Sequence, residues 1–214
     1  MPRLLRPVLA LVLIAAAGGV QAKTQAFQLD PVHTRVAFVV DHAGFSKAIG
    51  TFSGSTGTLS FDPDDWAGAT LDVTIPLASL DIGSDDWRKK VLGRAFLDAD
   101  DQPTARFVST RVEPGEAAQP GTAKVFGQLT LRGVSRDVVL DVQLNALKRH
   151  PLTLRRTAGF SATATLSRSD FGMTAWRRLV GDEVQLMIEV EATRGRDDTP
   201  SPAPEPDDAD QESG

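Results

Sequence analysis

Phe160-Ser161-Ala162-Thr163-Ala164-Thr165-Leu166-Ser167-Arg168-Ser169-Asp170-Phe171-Gly172 runs from an alternating segment into a charged turn. A β-strand points successive side chains to opposite faces, so this alternation separates small and apolar residues from hydroxyl residues. The residues on the apolar face are Phe160, Ala162, Ala164 and Leu166. The stretch therefore predicts a half-buried strand that ends in a charged corner, and it favours an all-β fold.

Other parts of the chain repeat the same alternation. The segments are 34–42, 69–75, 104–112, 125–131, 138–144 and 184–190. Turn-forming pairs such as Pro114-Gly115 and Arg132-Gly133 lie between them, which predicts an antiparallel meander. Segment 46–61 is rich in glycine and hydroxyl residues, and we expect there one long strand bent by a bulge near 54–57.

One segment departs from the strand pattern. Residues 84–98 begin with Ser84, a favourable N-cap, and carry acids in the first turn and apolar residues at helical spacing. We expect a short helix lying as a lid across one end of the sheet. About eight strands and one helix favour a closed antiparallel barrel, whereas an immunoglobulin-like sandwich would have shorter strands and no internal helix.

The two ends of the chain differ from its middle. Residues 1–22 combine Arg3 and Arg6, a short apolar run and Val20-Gln21-Ala22, which predicts a cleaved signal peptide rather than an uncleaved anchor. Residues 195–214 are acidic and lack large apolar side chains, so we expect a disordered tail, with an acidic partner-binding arm as the alternative. One domain over 23–194 remains.

Composition excludes several classes of function. The chain has a net charge of −5 and no cysteine, and without its two ends the remainder is nearly neutral. Disulfides and thiolate metal sites are excluded, and nothing indicates a nucleic-acid partner, which would need a basic face. Motifs of serine hydrolases, zinc proteases and phosphate-binding loops are lacking, so we do not expect an enzyme.

Several short motifs, in their order along the chain, resemble those of the YceI family of periplasmic polyisoprenoid-binding proteins. The motifs span Leu29–His42, Ile49–Phe52, Phe96–Asp98, Pro103–Phe107, Val125–Val134 and Arg168–Gly172. The resemblance covers nearly all of 27–192. It implies a lipocalin-like, eight-stranded antiparallel barrel in the periplasm, whose tunnel holds an isoprenoid or another long-chain lipid. Relatives also imply a homodimer, and the absence of tyrosine from this chain is a departure that affects head-group contacts.

A prenyl chain has no hydrogen-bonding groups, so a site for it needs an apolar tube. The candidates for the inward face of such a tube are branched aliphatic and phenylalanine side chains: Val36, Phe38, Val40, Phe52, Leu71, Val73, Ile75, Phe107, Leu129, Leu131, Phe160 and Phe171. Periodicity leaves open whether these side chains surround a ligand or fill a solid core.

Two polar candidates accompany them on the chain. His42 shares a face with Phe38 and Val40, and it is interpreted as a structural residue, a head-group contact or a haem ligand. A metal shared with His33 is not expected, because nine residues of straight strand span roughly 30 Å. The second candidate is Arg168, which binds either Asp170 in an ion pair that holds the turn or an oxyanion head group.

Trp176 precedes two arginines, a combination that suits either contact with a membrane or a solvated loop. These patterns lead to three hypotheses. The first is a periplasmic carrier for a polyisoprenoid, a quinone or a similar lipid, without a resident cofactor. The second is a haem- or quinone-linked accessory protein of a membrane cytochrome, and the third is an envelope-lipid hydrolase.

Overall fold

The computed structural model describes residues 24–195; the predicted signal peptide and nearly all of the predicted tail lie outside the described residues. The described part contains ten strands and one α-helix. They are β1 (Gln25–Leu29), β2 (Arg35–His42), β3 (Ser46–Phe52), β4 (Thr56–Asp62), β5 (Asp65–Pro76), α1 (Asp85–Leu92), β6 (Thr104–Pro114), β7 (Thr122–Leu131), β8 (Val134–Arg149), β9 (Arg156–Ser167) and β10 (Val180–Arg194). Two 3₁₀ turns, Leu77–Ser79 and Arg168–Phe171, follow β5 and β9.

The strands close into an antiparallel barrel. The order is β1-β4-β5-β6-β7-β8-β9-β10, and β10 pairs back to β1. The β2–β3 hairpin extends this ring, because β2 also pairs with β10, at Ile188 opposite Val36, while β1 pairs with the end of β10 at Arg194 opposite Phe27. β1 and β2 therefore pair with different parts of the same strand, β10. The predicted eight-stranded barrel is confirmed, and the sandwich alternative is wrong.

Each alternating segment of the sequence corresponds to a strand, and of the segments named above only 34–42 begins outside its strand, at Thr34. In β9, Ala162 stands opposite Ile188 and Ala164 opposite Leu186 of β10, so the apolar faces of the two strands coincide. The single bent strand expected over 46–61 is wrong, because residues 53–55 separate β3 from β4. β3 pairs with β2, whereas β4 pairs with β1 and β5. β1 escaped the sequence analysis because it has only five residues, too few to show a convincing alternation.

The helix is shorter than expected. Ser84 caps α1 by accepting a hydrogen bond from the Trp87 backbone N–H at 3.4 Å, as its sequence predicts. The helix ends at Leu92 because Gly93 adopts an extended conformation, and the following residues form turns up to Asp98. Glycine is a poor helix former, so a helix through residue 98 was the wrong expectation.

Aromatic packing seals one end of the barrel. The Phe61 ring meets Trp66 at a centroid distance of 5.1 Å and Phe160 at 5.5 Å, both edge to face. Phe27 is fully buried in the same cluster, beside Ala192. α1 lies toward the other end, which also carries the turns at 43–45, 132–133 and 168–179. The space between the aromatic cluster and α1 is the cavity described next.

Candidate functional site

The barrel interior is hollow. A cavity of about 780 Å³ runs along the inward faces of the strands, within the usual size range of small-molecule sites. All twelve apolar residues expected on the inward face line it: Val36, Phe38, Val40, Phe52, Leu71, Val73, Ile75, Phe107, Leu129, Leu131, Phe160 and Phe171. The structure therefore does not support the alternative of a solid core.

Some residues of the cavity wall were not among the binding candidates predicted from the sequence. β10 contributes Val184, Leu186 and Ile188, and α1 contributes Trp87 and Val91. The alternation of 184–190 was visible in the sequence and predicts these inward side chains once the strand is placed in a barrel. The contribution of α1 depends on how the helix lies across the barrel end, which its sequence does not specify.

Arg168 is the most deeply buried charged residue that lines the cavity, with only 3% of its surface exposed. Its guanidinium donates hydrogen bonds to three backbone carbonyls: Gly181 at 2.7 Å, Val180 at 2.9 Å, and Met173. Burial lowers its pKa from the ordinary value, while the charge of Asp182 acts in the opposite direction. Arg168 thus fastens the segment that leads into β10.

The expected ion pair between Arg168 and Asp170 does not form. Asp170 is exposed and is absent from the cavity wall. The 3₁₀ turn over Arg168–Phe171 replaces the extended geometry that would have put both side chains on one face. The interpretation of Arg168 as the holder of the turn was right, but its partners are carbonyls.

Asp182 is the acid that organises this corner. Its carboxylate accepts hydrogen bonds from the Ser167 hydroxyl at 2.6 Å and from the Ser169 backbone N–H at 3.1 Å. These hydrogen bonds hold the pKa of Asp182 below its ordinary value. Sequence analysis missed this role, because Asp182 lies thirteen residues from Ser169 and meets it only through the pairing of β9 with β10.

Replacing Asp182 with Asn is expected to produce a pH-dependent loss of stability. A carboxyl group whose pKa is lowered by folding stabilises the protein above its unfolded pKa, about 4, and this contribution disappears as the pH falls through the folded value. Wild type should exceed the variant in free energy of unfolding at pH 7, and the difference should shrink below about pH 4. Urea denaturation across this pH range measures it.

Asp170→Asn is the matched control, since Asp170 is an exposed acid in the same turn that forms no hydrogen bond or ion pair within residues 24–195. Its stability difference from wild type should be small at every pH. A pH-independent effect of Asp182→Asn would contradict the proposed contribution of the carboxylate.

The two other polar candidates lie at the α1 end. His42 lines the cavity and packs against Trp87, with ring centroids 5.0 Å apart. Trp176 also lines the cavity, although 62% of it is exposed. Both residues are placed to contact a ligand that reaches this end of the barrel.

His33 lies apart from His42, as expected. Its Nδ1 forms a hydrogen bond with the Asp30 carboxylate at 2.8 Å, which raises the pKa of His33. Glu191 lies close by, so that potential ligand atoms of the three side chains fall within 4.8 Å of one another. None of the three lines the cavity. The Asp30 pairing gives His33 a structural role in the turn before β2.

Comparison with known proteins identifies the family to which this barrel belongs. The model of the YceI-like domain family matches residues 27–192, almost the whole barrel. The chain belongs to the YceI family. It is 32% identical over 185 residues to a UPF0312 protein of Pseudomonas fluorescens, covering 86% of this chain and 93% of the relative. A UPF0312 protein of Ectopseudomonas mendocina is 33% identical over 187 residues.

Solved structures agree with this membership of the YceI family. BcnA of Burkholderia cenocepacia superposes with a TM-score of 0.66 at 26% identity, over 75% of this chain and 96% of BcnA. The YCEI protein of Campylobacter jejuni gives a TM-score of 0.62 at 28% identity, over 68% and 84% of the two chains. The predicted lipocalin-like barrel is confirmed. Within residues 24–195, no helix is long and apolar enough to cross a membrane.

Proposed function

We propose that this protein is a periplasmic carrier that holds the long apolar chain of an isoprenoid or similar lipid inside its barrel. The observation that carries this proposal is the cavity of about 780 Å³, whose wall consists mainly of aliphatic and aromatic side chains. One end is sealed by the Phe61 cluster, while α1 and the turn around Trp176 border the other end. The predicted signal peptide is the basis for the periplasmic location.

Burial of the chain supplies the affinity. At about 25 cal/mol per Å², removing about 400 Å² of apolar lipid surface from water contributes about 10 kcal/mol before the costs of ordering the chain. Branched side chains and phenylalanines make close contacts without demanding hydrogen bonds from the ligand. The site therefore selects for an apolar chain of suitable length.

One of the solved structures similar to this chain is a polyisoprenoid-binding domain. A polyisoprenoid-binding domain from Saccharophagus degradans superposes on 80% of this chain with a TM-score of 0.57. At 16% identity, this likeness supports the shared barrel fold alone. Our proposal takes its class of ligand, a polyisoprenoid, from that domain. A homodimer, which the family resemblance implies, stays a prediction.

Mass spectrometry of solvent extracts from natively purified protein tests the carrier function. We expect a lipid in near-stoichiometric amount, and we expect prenyl compounds to raise the melting temperature of delipidated protein because they bind only the folded state. No extracted lipid together with no thermal shift would contradict the proposal. The absorption spectrum of the same sample tests the haem alternative, which requires a Soret band that is lost in His42→Ala.

We also propose that the α1 end contacts the membrane during loading and release. The β2–β3 turn exposes 93% of Phe45, and the neighbouring turn exposes 62% of Trp176 and 45% of Leu179. A hydrogen bond of 2.7 Å from the Ala43 N–H to the Leu179 carbonyl joins the two turns. Exposed aromatic and aliphatic side chains beside the cavity would insert among lipid head groups.

The double substitution Phe45→Ser with Trp176→Ser is expected to reduce binding to vesicles of phosphatidylethanolamine and phosphatidylglycerol about tenfold, the effect of losing roughly 1.4 kcal/mol of apolar burial. Co-sedimentation measures the bound fraction. The matched control is Leu152→Ser with Leu154→Ser, which removes side chains exposed by 87% and 65% at the opposite end of the barrel. Equal losses in both double variants would contradict a membrane-facing α1 end.

A further inference from the structure

A hairpin at the end of the barrel opposite α1 carries a concentration of positive charge. It joins β8 to β9, and we call residues 148–156 the basic hairpin. Its four cations are all exposed: Lys148, Arg149, Arg155 and Arg156. The chain has no acid between Asp141 and Asp170, so the hairpin supplies no carboxylate of its own.

The basic hairpin brings like charges together without neutralising them. β8 and β9 pair with Arg149 directly opposite Arg156, and like charges in this position are destabilising. The guanidiniums of Arg149 and Arg155 donate hydrogen bonds to the backbone carbonyls of Leu154 at 3.1 Å and Arg194 at 2.8 Å. Within residues 24–195, none of the four cations forms an ion pair. The barrel therefore leaves the charge of the basic hairpin uncompensated.

The same chain carries a segment of opposite charge that begins beside the basic hairpin. Residues 195–214 contain seven acids and one arginine. The acids are Asp197, Asp198, Glu205, Asp207, Asp208, Asp210 and Glu212. β10 precedes this segment and ends at Arg194, whose carbonyl accepts the hydrogen bond from Arg155. The acidic segment thus starts one residue beyond a direct contact with the basic hairpin.

The position of this starting point brings the acids within reach of the hairpin. Asp197 follows Arg194 by three residues, so their Cα atoms lie no more than about 11 Å apart. Tethering through a short linker gives effective concentrations in the millimolar range. An attraction too weak to hold two separate molecules together therefore suffices within one chain.

We propose that the acidic segment 195–214 docks on the basic hairpin of its own chain. Its carboxylates bind the guanidiniums of Arg149 and Arg156 and relieve the repulsion between them. The hairpin also exposes 87% of Leu152 and 65% of Leu154, and cations beside exposed leucines suit an anionic membrane. Docking of the segment shields this end of the barrel from such a membrane. It does not depend on what the cavity binds.

Paramagnetic relaxation enhancement tests the docking in the chain without its predicted signal peptide. The chain has no cysteine, so Ser213→Cys provides a single site for a nitroxide label. At low ionic strength, the enhancement at the amides of 149–156 should be at least about threefold larger than at 1 M salt, where the Debye length is about 3 Å. The turns at 62–65 and 115–121 lie at the same end of the barrel, carry acids instead of cations, and should show less enhancement.

A variant of the acidic segment provides the matched control for tether length. It keeps every residue position and removes four negative charges through Asp207→Asn, Asp208→Asn, Asp210→Asn and Glu212→Gln. The enhancement at the basic hairpin should fall to the value seen at high salt. Enhancement that survives in this amide variant, or that is equal at the hairpin and at the two reference turns, would overturn the docking.

Substitutions in the barrel test the other side of the contact. Arg149→Gln with Arg156→Gln should remove the enhancement, whereas Lys89→Gln with Lys90→Gln makes the same change of charge on α1 and should preserve it. Equal effects of the two double variants would contradict a contact specific to the basic hairpin.

A mixture of isotope-labelled chains and separate spin-labelled chains tests whether a second copy supplies the acidic segment. Enhancement at the hairpin in this mixture should be much weaker than in the doubly labelled chain. Enhancement of equal size would overturn docking within one chain.

Co-sedimentation with phosphatidylglycerol vesicles tests the shielding. The amide variant should bind the vesicles more tightly than wild type, and adding Leu152→Ser with Leu154→Ser should abolish the gain. A gain that the leucine substitutions leave unchanged would show that the acidic segment does not shield the hairpin. The carrier function stands or falls separately, on the lipid extraction described above.

Discussion

Replacing Arg168 with Met is expected to lower the free energy of unfolding by about 3–5 kcal/mol. Met fills much of the same volume but removes the hydrogen bonds to the carbonyls of Met173, Val180 and Gly181. Each abandoned carbonyl in this buried corner costs about 1–3 kcal/mol, less whatever water enters to replace the guanidinium. Equilibrium denaturation in urea measures the loss.

Arg177→Met provides the control for this prediction. It makes the same substitution nine residues along the chain, at an exposed arginine that forms no ion pair within the described range. Its effect should stay within about 0.5 kcal/mol. Hydrogen exchange should also accelerate at the backbone amides near Met173 and Gly181 in the Arg168 variant alone. If the urea denaturation midpoint of Arg168→Met equalled that of wild type, Arg168 would not fasten this segment.

Replacing Ala162 with Trp is expected to weaken binding of a long prenyl chain by nearly two orders of magnitude. Ala162 lines the cavity from β9, opposite Ile188 of β10, so an indole there would occupy space that the ligand needs. If the indole covers about 100 Å² of wall that the lipid otherwise contacts, the loss is about 2.5 kcal/mol, or nearly a hundredfold in Kd. Titration of delipidated protein with geranylgeraniol measures it.

The control for this prediction uses the next residue of the same strand. Thr163 is exposed and points away from the cavity, so Thr163→Trp adds the same side chain outside the barrel. Its affinity for geranylgeraniol should match that of wild type. Circular dichroism and the melting temperature verify that both variants fold. Unchanged binding by a folded Ala162→Trp would mean that the lipid does not occupy this part of the barrel.

Much of the barrel follows from local patterns. Alternation in 160–166 and 184–190 identifies the inward faces of β9 and β10, and the register of these two strands places those faces side by side. The apolar binding candidates were predictable for this reason, since each inward residue is determined by its own strand. β1 was not predicted, because a strand of five residues shows only weak periodicity. The end of α1 at Leu92 was also not predicted, because it depends on Gly93 stopping the helix.

The charged corner was harder to predict. Its residues in sequence suggested an ion pair between Arg168 and Asp170, but the structure joins Arg168 to carbonyls of 173–181 and assigns the carboxylate role to Asp182. These partners lie up to thirteen residues away. They meet only after β9 and β10 have paired and the chain has formed a 3₁₀ turn between them.

The sequence by itself indicated the meander that runs from β4 to β10, the apolar faces of the longer strands and the membership of a family. The tertiary structure decided that these faces enclose an open cavity and that one end is filled by the Phe61 cluster. The physical reason is the range of the interactions. Side-chain alternation is a property of neighbouring residues, whereas an empty or filled interior depends on the barrel circumference and on the summed volumes of side chains from all its strands.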